Sequence, residues 1–456
     1  MPSNAASPRS IDRARLDALR QNEDRQFLSR TRRSQALCQQ GLRTMPYGVP
    51  MSWMAGLYRT APIYIAHGSG AYFTDVDGNA YLDFNLCDLS MTIGYGNAIV
   101  ADALAHQARR GTQFLLPTED AIEVTRMLSE RMGLPFWQFT LSASGANTEV
   151  IRIARLMTGR RRIVIFGGHY HGHIEETLVR SENGQTVPDT AGLSPGSAAH
   201  TTIIPFNDLV TLEQTLSRGD VALVLTEPVL TNCNLVQPSL AFHEGLRELT
   251  RRHGALLCID EAHTLQFAFG GLTRAWGLRP DFVTAGKGFG SGVAFGLYGM
   301  SHAVAECFER NFDSDVGPRG IATGGTTYAS ALAMAVAKAV LEEIFTEDAY
   351  QYLSSLGAQL ADGLDAIFKR RGLPWTAFRC GPRSGFCLEP SLPRTGDESA
   401  NSLDAELIDA RRVFMANRGI WDAVLSAGPQ VSIAHTSSDV ETYLQVVDEF
   451  LGCIAV

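Results

Sequence analysis

Lysine is rare in this 456-residue chain, and one lysine lies where chemistry could use it. The 39 basic residues include three lysines, Lys287, Lys338 and Lys369. Lys287 follows an apolar run within the segment Thr284-Ala-Gly-Lys-Gly-Phe-Gly-Ser-Gly. Glycines on both sides let the backbone approach a ligand closely, and burial would lower the pKa of the amine below about 10.4. We predict that Lys287 is a nucleophile suited to Schiff-base chemistry; the alternative is a structural lysine on a helix surface, as expected for the other two.

A carboxylate and a helix start supply two further candidate sites. Asp260 ends the apolar run at residues 256–260, so burial would leave its carboxylate in need of a cationic or hydrogen-bonding partner. The protonated ring nitrogen of a heterocyclic cofactor would serve, whereas the alternative is an Asp that caps the next segment. Residues 142–149 precede a helical stretch at 150–157, and free amides there could bind a phosphate. Many helices begin in this way, so that second signal is weak alone.

Three other motifs point to chemistry that the rest of the chain does not support. Residues 260–263 spell the helicase motif DEAH, but no lysine precedes Lys287, so a phosphate-binding Gly-x-x-x-x-Gly-Lys loop is missing. His169, His171 and His173 alternate, yet their segment is too glycine-rich for a regular strand and no carboxylate follows at a usual ligand spacing. No Gly-x-Ser-x-Gly motif is present. We therefore expect no nucleotide hydrolysis, no metal site and no serine nucleophile.

These residues fall at the ends of predicted strands. From about residue 137 to residue 300, short β-branched runs alternate with helical stretches, which predicts a mostly parallel sheet covered by helices. Ligands bind beyond the carboxyl ends of such strands. The predicted strands are 162–166, 221–226, 256–260, 282–285 and 295–298, and the helices between them include 208–218 and 242–253. The polar strand ends are His169-Tyr170-His171, Glu227-Pro228, Asp260-Glu261 and Lys287.

The N-terminal part of the chain has a different composition. The first 44 residues hold nine arginines and four acids without an apolar core, so neither a signal peptide nor a transit peptide is expected, and a solvated helical arm is. Residues 72–83 show alternating apolar positions on both sides of Asp77-Gly78-Asn79, which predicts a hairpin.

Composition excludes several classes of protein. Hydrophobic residues make up 45% and charged residues 19% of the chain, which argues against a disordered scaffold, a fibre or a coiled-coil rod. The net charge of −9 disfavours nucleic acid or anionic lipid as a partner. The sequence contains no apolar run of 18 residues, so no membrane-spanning helix is expected. The eight cysteines have no CxxC spacing, so we expect reduced cysteines in a cytoplasmic protein, with Cys258 in the core.

Taken in order, the motifs resemble the class III pyridoxal-phosphate (PLP) aminotransferases, in particular their glutamate-1-semialdehyde aminomutase-like branch. The resemblance covers about residues 45–450 and rests on an ordered set of short blocks. The blocks are Ser144-Gly145-Ala146-Asn147, Tyr170-His171-Gly172, Glu227-Pro228, Asp260-Glu261, Gly286-Lys287 and Gly325-Thr326-Thr327.

The resemblance implies an α/β protein of PLP fold type I. Its large domain would contain a mostly parallel seven-stranded sheet flanked by helices, and a small α+β domain would come from both chain ends. The expected bounds are a helical arm at 1–44, the small domain at 45–85 and 336–456, and the large domain at 86–335.

The resemblance also implies roles for individual residues. Lys287 would form the Schiff base with PLP and then move a proton between the substrate carbon and C4′ of the cofactor. Asp260 would pair with the pyridinium nitrogen, and Tyr170 would stack on the ring. The other cofactor-binding residues would be Ser144, Gly145 and Ala146 at the phosphate, Glu227, Asn232 and His263 near the 3′-oxygen and the substrate amine, and Thr326 at the phosphate of the neighbouring subunit in a homodimer.

Some positions depart from the family pattern. Ala146 replaces a common Thr, Ala262 replaces a common Val, and His263 replaces a common Gln that bonds the phenolic oxygen. The N-terminal segment, where relatives often hold a substrate carboxylate with Ser and Arg, has no arginine from residue 47 to residue 58. Tyr47 and Trp53 there predict an aromatic pocket wall, unless both are core residues. A carboxylate could instead be bound by Arg379 or Arg383.

These implications predict an aminotransferase that moves an amino group from a β- or ω-amino acid or a primary amine to a keto acid. An aminomutase of the glutamate-1-semialdehyde type, or a racemase, is the alternative, because all of them share the same proton shift. A cofactor-binding regulator without turnover is a further reading, and the joint presence of Lys287, Asp260 and Tyr170 argues against it.

Overall fold

A computed structural model of the chain describes residues 11–57, 60–311, 320–422 and 428–455. Its strands, in chain order, are β1 (Ile65–Ser69), β2 (Tyr72–Asp75), β3 (Ala80–Asp83), β4 (Phe136–Thr140), β5 (Arg162–Phe166), β6 (Val179–Glu182), β7 (Gln185–Pro188), β8 (Thr201–Ile204), β9 (Val221–Thr226), β10 (Leu256–Asp260), β11 (Phe282–Gly286), β12 (Gly296–Met300), β13 (Thr376–Cys380), β14 (Arg383–Cys387) and β15 (Ile420–Trp421).

The α-helices are α1 (Arg13–Arg30), α2 (Arg32–Gly41), α3 (Ser52–Gly56), α4 (Ala98–Arg110), α5 (Glu119–Met132), α6 (Ala143–Thr158), α7 (Leu209–Leu216), α8 (Phe242–His253), α9 (Gly271–Ala275), α10 (His302–Asn311), α11 (Ala331–Ala339), α12 (Glu347–Arg370), α13 (Gly396–Asn401), α14 (Ala405–Asn417) and α15 (Ser437–Ile454). Short 3-10 turns cover Pro46–Gly48, Thr264–Gln266 and Lys287–Gly290, and a π-turn covers Val340–Ile344.

The chain forms two compact units. The first comprises Met1–Asn97, Tyr352–Leu392 and Ser402–Val456, and the second comprises Ala98–Gln351 and Pro393–Asn401. The domain bounds expected from the sequence stay a prediction. Within the described residues, no helix has the length and apolar character that crossing a membrane requires.

A seven-stranded sheet forms the centre of the second unit, with strand order β4-β12-β11-β10-β9-β5-β8. Strand β12 is antiparallel to both of its neighbours, and the pairs from β11 to β8 are parallel. Every residue of β9, β11 and β12 is buried. Strands covered on both faces appear in a sequence as continuous apolar runs, which is how they were predicted. The predicted α/β fold class is confirmed.

Most predicted elements of this region form with small differences in their bounds. Helix α6, however, starts seven residues before the helical stretch expected at 150–157, and strands β4, β6, β7 and β8 were not predicted. Strands β5, β9 and β10 and helix α8 match the predictions residue for residue, and Cys258 is fully buried as expected. Strands β11 and β12 end one and two residues later than predicted. Helix α7 starts one residue later than predicted, because Asp208 is its N-cap and accepts a hydrogen bond from the Thr211 amide. It ends two residues earlier than predicted, with Ser217 as its C-cap.

Helix α6 joins the sheet to the candidate phosphate site. It begins three residues after β4 and packs against β9, β11 and β12. Ala146, Val150, Ile153 and Ala154 on its inner face are fully buried. These residues recur at helical spacing, so the helix has one apolar face toward the sheet and its first turn is held at the sheet edge.

The first unit contains a four-stranded sheet in the order β1-β2-β3-β15, in which the predicted hairpin forms as β2 and β3. The Asp75 carboxylate accepts hydrogen bonds from the Asp77 and Asn79 amides at 3.0 and 2.8 Å, which fixes the turn. Helix α1 packs against α14 and α15. Its residues Leu16 and Phe27 are 1% exposed, so the described part of the predicted arm is largely helical but is docked rather than solvated. Residues 1–10 of that arm lie outside the described residues.

Candidate active site

Four neighbouring parallel strands bring the predicted residues to one edge of the large sheet. Strands β5, β9, β10 and β11 pair in parallel, so their carboxyl ends lie at the same edge. Asp260 is the last residue of β10, and Glu227 and Lys287 directly follow β9 and β11. The segment that follows β5 reaches the same place, because Nδ1 of His171 lies 2.8 Å from Oδ2 of Asp260. The strand-end argument from sequence is therefore confirmed for these four positions.

Asp260 is buried and its carboxylate is bound on both oxygens. Oδ2 accepts from Nδ2 of Asn147 at 2.8 Å and from Nδ1 of His171, and Oδ1 accepts from the Ala262 amide at 2.9 Å. Burial, at 2% exposure, alone would raise the pKa of Asp260, but these hydrogen bonds outweigh it and hold the pKa below its ordinary value. The residue is therefore an anion at neutral pH, with its partners fixed in place.

Asn147, in the first turns of α6, helps to hold the Asp260 carboxylate in place. Its Nδ2 also donates to the carbonyl of His171 at 3.1 Å, and its Oδ1 accepts from the Thr284 hydroxyl at 2.6 Å. Asn147 is fully buried, so its carboxamide orientation is determined by these three bonds. The sequence motif contained Asn147 without assigning it a role. Bonds between residues 113 positions apart, such as Asn147 with Asp260, leave no local signal in a sequence.

His171 has a different role from the metal ligand that its spacing could have indicated. Its ring stacks on that of His169, with centroids 5.0 Å apart and an angle of 7°. Nδ1 of His171 forms a hydrogen bond with the Asp260 carboxylate, and Nε2 is buried without a hydrogen-bond partner. Burial, with the neighbouring His171, lowers the pKa of His169 well below its ordinary value. His169 is therefore a neutral ring, and the ring of His171 is oriented by its hydrogen bond to Asp260.

Glu227 contrasts with Asp260. Its Oε2 accepts from the Thr231 hydroxyl and from the Thr231 amide, the latter at 3.1 Å, while Oε1 is buried without a partner. Burial raises the pKa of Glu227 to about 7, because the opposing bonds from Thr231 and the charge of His171 are insufficient to offset it. The Thr231 hydroxyl also lies 2.7 Å from Nδ1 of His263. Glu227, Thr231 and His263 thus form a chain, and the sequence did not predict Thr231 as a member.

Lys287 is held in an unusual backbone conformation at the end of β11. It is half-buried and begins the 3-10 turn with a φ of 49°, in the left-handed region that favours glycine. A Cβ at Gly286 would lie 3.0 Å from the Phe295 carbonyl oxygen, and one at Gly288 would lie 2.9 Å from the Gln266 side chain. The flanking glycines therefore accommodate neighbouring protein atoms at short range.

The start of α6 has the form of an anion site. Ser142 is the N-cap, and its hydroxyl accepts from the Gly145 amide at 3.2 Å while its carbonyl accepts from the Ala146 amide at 3.1 Å. The first two helical amides, of Ala143 and Ser144, have no acceptor within the helix by geometry. Phosphate binding through Gly145 and Ala146 stays a prediction, because in this structure both amides serve the cap.

The loop with Tyr170 lies against this helix start. The hydroxyl of Ser144 accepts from the His173 amide at 3.1 Å. Gly172 has a φ of 92°, and a Cβ there would lie 2.0 Å from Oγ of Ser144, so the position requires glycine. Tyr170 is 46% exposed. The loop is thus fixed close to α6, and the Tyr170 ring remains accessible, as stacking on a ligand requires.

The remaining predicted residues have different surroundings. Asn232 is half-buried and Thr326 is exposed. Tyr47 and Trp53 belong to the first compact unit and are 66% and 49% exposed, so the alternative of two core residues is wrong.

Both candidate carboxylate-binding arginines also belong to the first unit. Arg379 is exposed on β13, whereas Arg383 on β14 is 2% exposed.

Comparison with known proteins identifies the family. Residues 54–373 match the sequence model of the class-III aminotransferases. That match covers more than half of the chain, and the chain therefore belongs to the class-III aminotransferase family. The resemblance inferred from the ordered motifs is confirmed.

Three relatives indicate which members of the family this chain resembles. Glutamate-1-semialdehyde 2,1-aminomutase 2 of Brevibacillus brevis is 33% identical over 394 residues, covering 84% of this chain and 90% of that protein. A glutamate-1-semialdehyde aminomutase structure from Pseudomonas aeruginosa has a TM-score of 0.93 at 37% identity, over 97% of this chain and 99% of that one. A β-phenylalanine aminotransferase structure from Variovorax paradoxus has a TM-score of 0.85 at 27% identity, over 96% and 97%. The first two of these relatives are named as aminomutases and the third as an aminotransferase, and the two aminomutases have the higher identity to this chain.

The residues present fit the cofactor of this family, which is PLP. A variant of the Pseudomonas aeruginosa protein was solved in complex with PMP. The site offers a lysine amine, an anion at Asp260 for a protonated ring nitrogen, and a helix start for a phosphate. The unpartnered Oε1 of Glu227 supplies a further polar contact. The chain is a PLP-dependent enzyme of the class-III family.

Proposed function

We propose that the enzyme is an aminomutase that moves an amino group between adjacent carbons of one substrate, of the glutamate-1-semialdehyde type. The observation that carries the proposal is the pair of buried carboxyl groups, one ionised at Asp260 and one with a pKa of about 7 at Glu227, at the same sheet edge as Lys287. The relatives named above support the aminomutase branch.

Each predicted residue has a task in this proposal. PLP, when bound, supplies an aldehyde carbon for the amino group and a ring that withdraws electrons. Asp260 holds the proton at the ring nitrogen as an anion. Lys287 binds the cofactor and moves the proton between the substrate carbon and C4′. Tyr170 covers the ring face. The binding contacts come from Glu227, Asn232 and His263 at the 3′-oxygen and the amine, and from Ser144, Gly145 and Ala146 at the phosphate.

We further propose that the active form is a homodimer in which Thr326 contacts the phosphate in the neighbouring subunit. Thr326 is exposed in the single chain. In the same compact unit, Phe114, Leu115 and Leu116 are 48%, 70% and 71% exposed, and three adjacent apolar side chains in water favour burial against a second copy. Their exposure and that of Thr326 support a site completed by two chains.

A second candidate is the aminotransferase that the sequence favoured, acting on a β- or ω-amino acid or an amine. Two exposed aromatic rings, Tyr47 and Trp53, favour it, as does the absence of arginine from residue 47 to residue 58. An apolar or aromatic substituent on the donor would suit such a pocket wall. The similarity to the β-phenylalanine aminotransferase supports the same candidate.

The two candidates differ in their need for a second substrate. Purified enzyme loaded with PLP would be assayed with glutamate 1-semialdehyde, and separately with a panel of β-amino acids and amines, with and without pyruvate or 2-oxoglutarate. An aminomutase turns over the semialdehyde without a keto acid. Turnover that requires a keto acid would replace the proposal by the aminotransferase. Lys287→Ala serves as the inactive control in both assays.

A further inference from the structure

The side chain of Gln113 joins two loops of the second compact unit. Gln113 lies between α4 and α5, and its Oε1 accepts from the amides of Phe114 at 2.8 Å and Leu115 at 3.1 Å. Its Nε2 donates to the carbonyl oxygen of Thr326 at 2.9 Å. One carboxamide thus fixes the start of the exposed apolar loop and, 213 residues later in the chain, the backbone of Thr326.

The loop that follows Gln113 has a strained backbone conformation. Leu115 has a φ of 57°, in the left-handed region that is strained for a residue with a side chain. Gly111 has a φ of 118°, and a Cβ there would lie 2.5 Å from the Phe114 ring. The Leu332 amide donates to the Thr112 carbonyl, which ties the loop to α11. The three apolar side chains are therefore presented to solvent by a defined backbone.

The segment with Thr326 has a second anchor at its other end. Glu149 of α6 has a side chain that is 5% exposed, and it accepts a hydrogen bond from the Gly324 amide. Burial raises the pKa of Glu149, opposed by Arg152, whose Nη1 lies 3.6 Å away, and by that hydrogen bond. Residues 324–326 are thus held by Glu149 at one end and Gln113 at the other, while the Thr326 side chain stays exposed.

We propose that Gln113 is a positioning residue that couples the docking of a second copy at Phe114–Leu116 to the placement of Thr326. This inference rests on the proposed homodimer, in which Thr326 contacts the neighbouring phosphate. Coupling between two binding events is reciprocal, so PLP strengthens the dimer as much as the dimer strengthens PLP binding. Loss of the Gln113 carboxamide reduces both effects without removing any group that contacts the cofactor.

The test is a double-mutant cycle on PLP affinity. The dissociation constant of PLP is measured by absorbance titration of apoenzyme for the parent protein, Gln113→Met, Thr326→Val and the double variant. We expect each single substitution to weaken PLP binding about tenfold, the effect of one lost hydrogen bond to a charged group. Because Gln113 acts through Thr326, the double variant should be no weaker than Thr326→Val alone.

A matched control and a second variant complete the design. Gln214→Met, at an exposed position of α7, should leave the PLP affinity unchanged. Should Gln113→Met fail to fold or dimerise, Gln113→Glu keeps an oxygen for the Phe114 and Leu115 amides and loses the donor to Thr326, and it should weaken PLP binding in the same way. The dimer dissociation constant, measured by sedimentation with and without PLP, should respond to PLP less in either variant than in the parent.

The outcomes separate the two levels of the proposal. Normal PLP affinity in Gln113→Met, or additive effects in the double variant, would overturn the role of Gln113 while leaving the dimer intact. Normal PLP affinity in Thr326→Val would show that Thr326 does not contact the phosphate, and the shared-site part of the proposed function would fail together with this inference.

Discussion

Asp260 and Glu227 lie at the ends of neighbouring strands and are almost equally buried, yet their pKa values move in opposite directions. Asp260 accepts three hydrogen bonds on two oxygens, and its pKa lies below the ordinary value. Glu227 accepts from Thr231 on one oxygen, has the other unpartnered, and has a pKa of about 7. Burial alone would neutralise both acids. The donors aimed at each carboxyl group, together with the neighbouring His171, therefore give different pKa values to two acids of similar burial.

The largest effect is expected when Asp260 loses its charge. Asp260→Asn preserves the shape but provides no anion for a protonated ring nitrogen, so we expect kcat to fall by about a thousandfold while PLP stays bound. The measurement is steady-state kinetics together with the absorbance of bound cofactor. Asp281→Asn is the control, because Asp281 precedes β11 at the other sheet edge and pairs with Arg247 at 2.7 Å. A near-normal kcat in Asp260→Asn would show that turnover does not need the negative charge that distinguishes Asp260 from Glu227.

The next effect concerns the pH dependence of stability that Glu227 introduces. Its pKa is about 7 when folded and 4.5 ordinarily. As pH rises between these values the unfolded chain releases a proton that the folded chain retains, so the free energy of unfolding falls. The loss is complete above the folded pKa and amounts to about 3 kcal/mol. Glu227→Gln should lack this decline in urea unfolding of the apoprotein from about pH 4 to about pH 8.

An exposed acid provides the control for that measurement. Glu213 on α7 forms an ion pair with Arg252 at 3.0 Å, with both side chains about half exposed. Glu213→Gln should therefore retain the parent decline with pH. If Glu227→Gln and the parent protein lose stability in parallel over this range, Glu227 titrates near its ordinary pKa and the contrast with Asp260 disappears.

A smaller effect is expected from His171, which acts through Asp260. His171→Phe preserves the ring stack and removes the hydrogen bond, so the pKa of Asp260 should rise and kcat should fall about tenfold. The readout is the pH profile of kcat, whose acidic limb should move to higher pH. His169→Phe is the matched control, because its ring stacks at the same place without a bond to Asp260. Equal profiles for both variants would contradict the positioning role.

The smallest effect is a shift in one pKa. Thr231→Val removes the hydroxyl that bonds Glu227 and leaves the Thr231 amide in place. Because that hydroxyl lowers the pKa of Glu227, the pKa should rise above about 7, by less than about one unit. Infrared difference spectra of the carboxyl band across pH would measure it. Thr215→Val is the control, because the hydroxyl of this buried residue on α7 donates to a helix carbonyl, and it should leave the band unchanged. An unchanged band in Thr231→Val would show that the Thr231 hydroxyl does not lower the pKa of Glu227.

The sequence was sufficient for five of the seven strands of the large sheet and for the edge at which the candidate residues lie. Strands buried on both faces, such as β9 and β10, consist of apolar runs whose bounds are sharp. The carboxyl ends of parallel strands lie together whatever the side chains are, so Asp260, Glu227 and Lys287 could be placed at one edge. The dimer contact of Thr326 came from the family resemblance and stays a prediction.

The protonation states could not be predicted in the same way. They depend on Asn147, His171 and Thr231, whose side chains meet their acids only after folding. The spacing of His171 with its neighbours even resembled a metal motif. The cap at Ser142, which engages the Gly145 amide, was equally invisible, because Ser begins many helices. Long-range hydrogen bonds of single side chains leave no periodic pattern.

The scarcity of lysine has a practical consequence for attaching the enzyme to a support. Lys369 has a side chain that is 74% exposed, whereas Lys338 is 33% exposed and lies 3.4 Å from Glu342. Lys287 is half-buried, and in the proposed function its amine binds PLP. Among the three lysines, an amine-reactive resin would therefore react most readily with Lys369, at the end of α12.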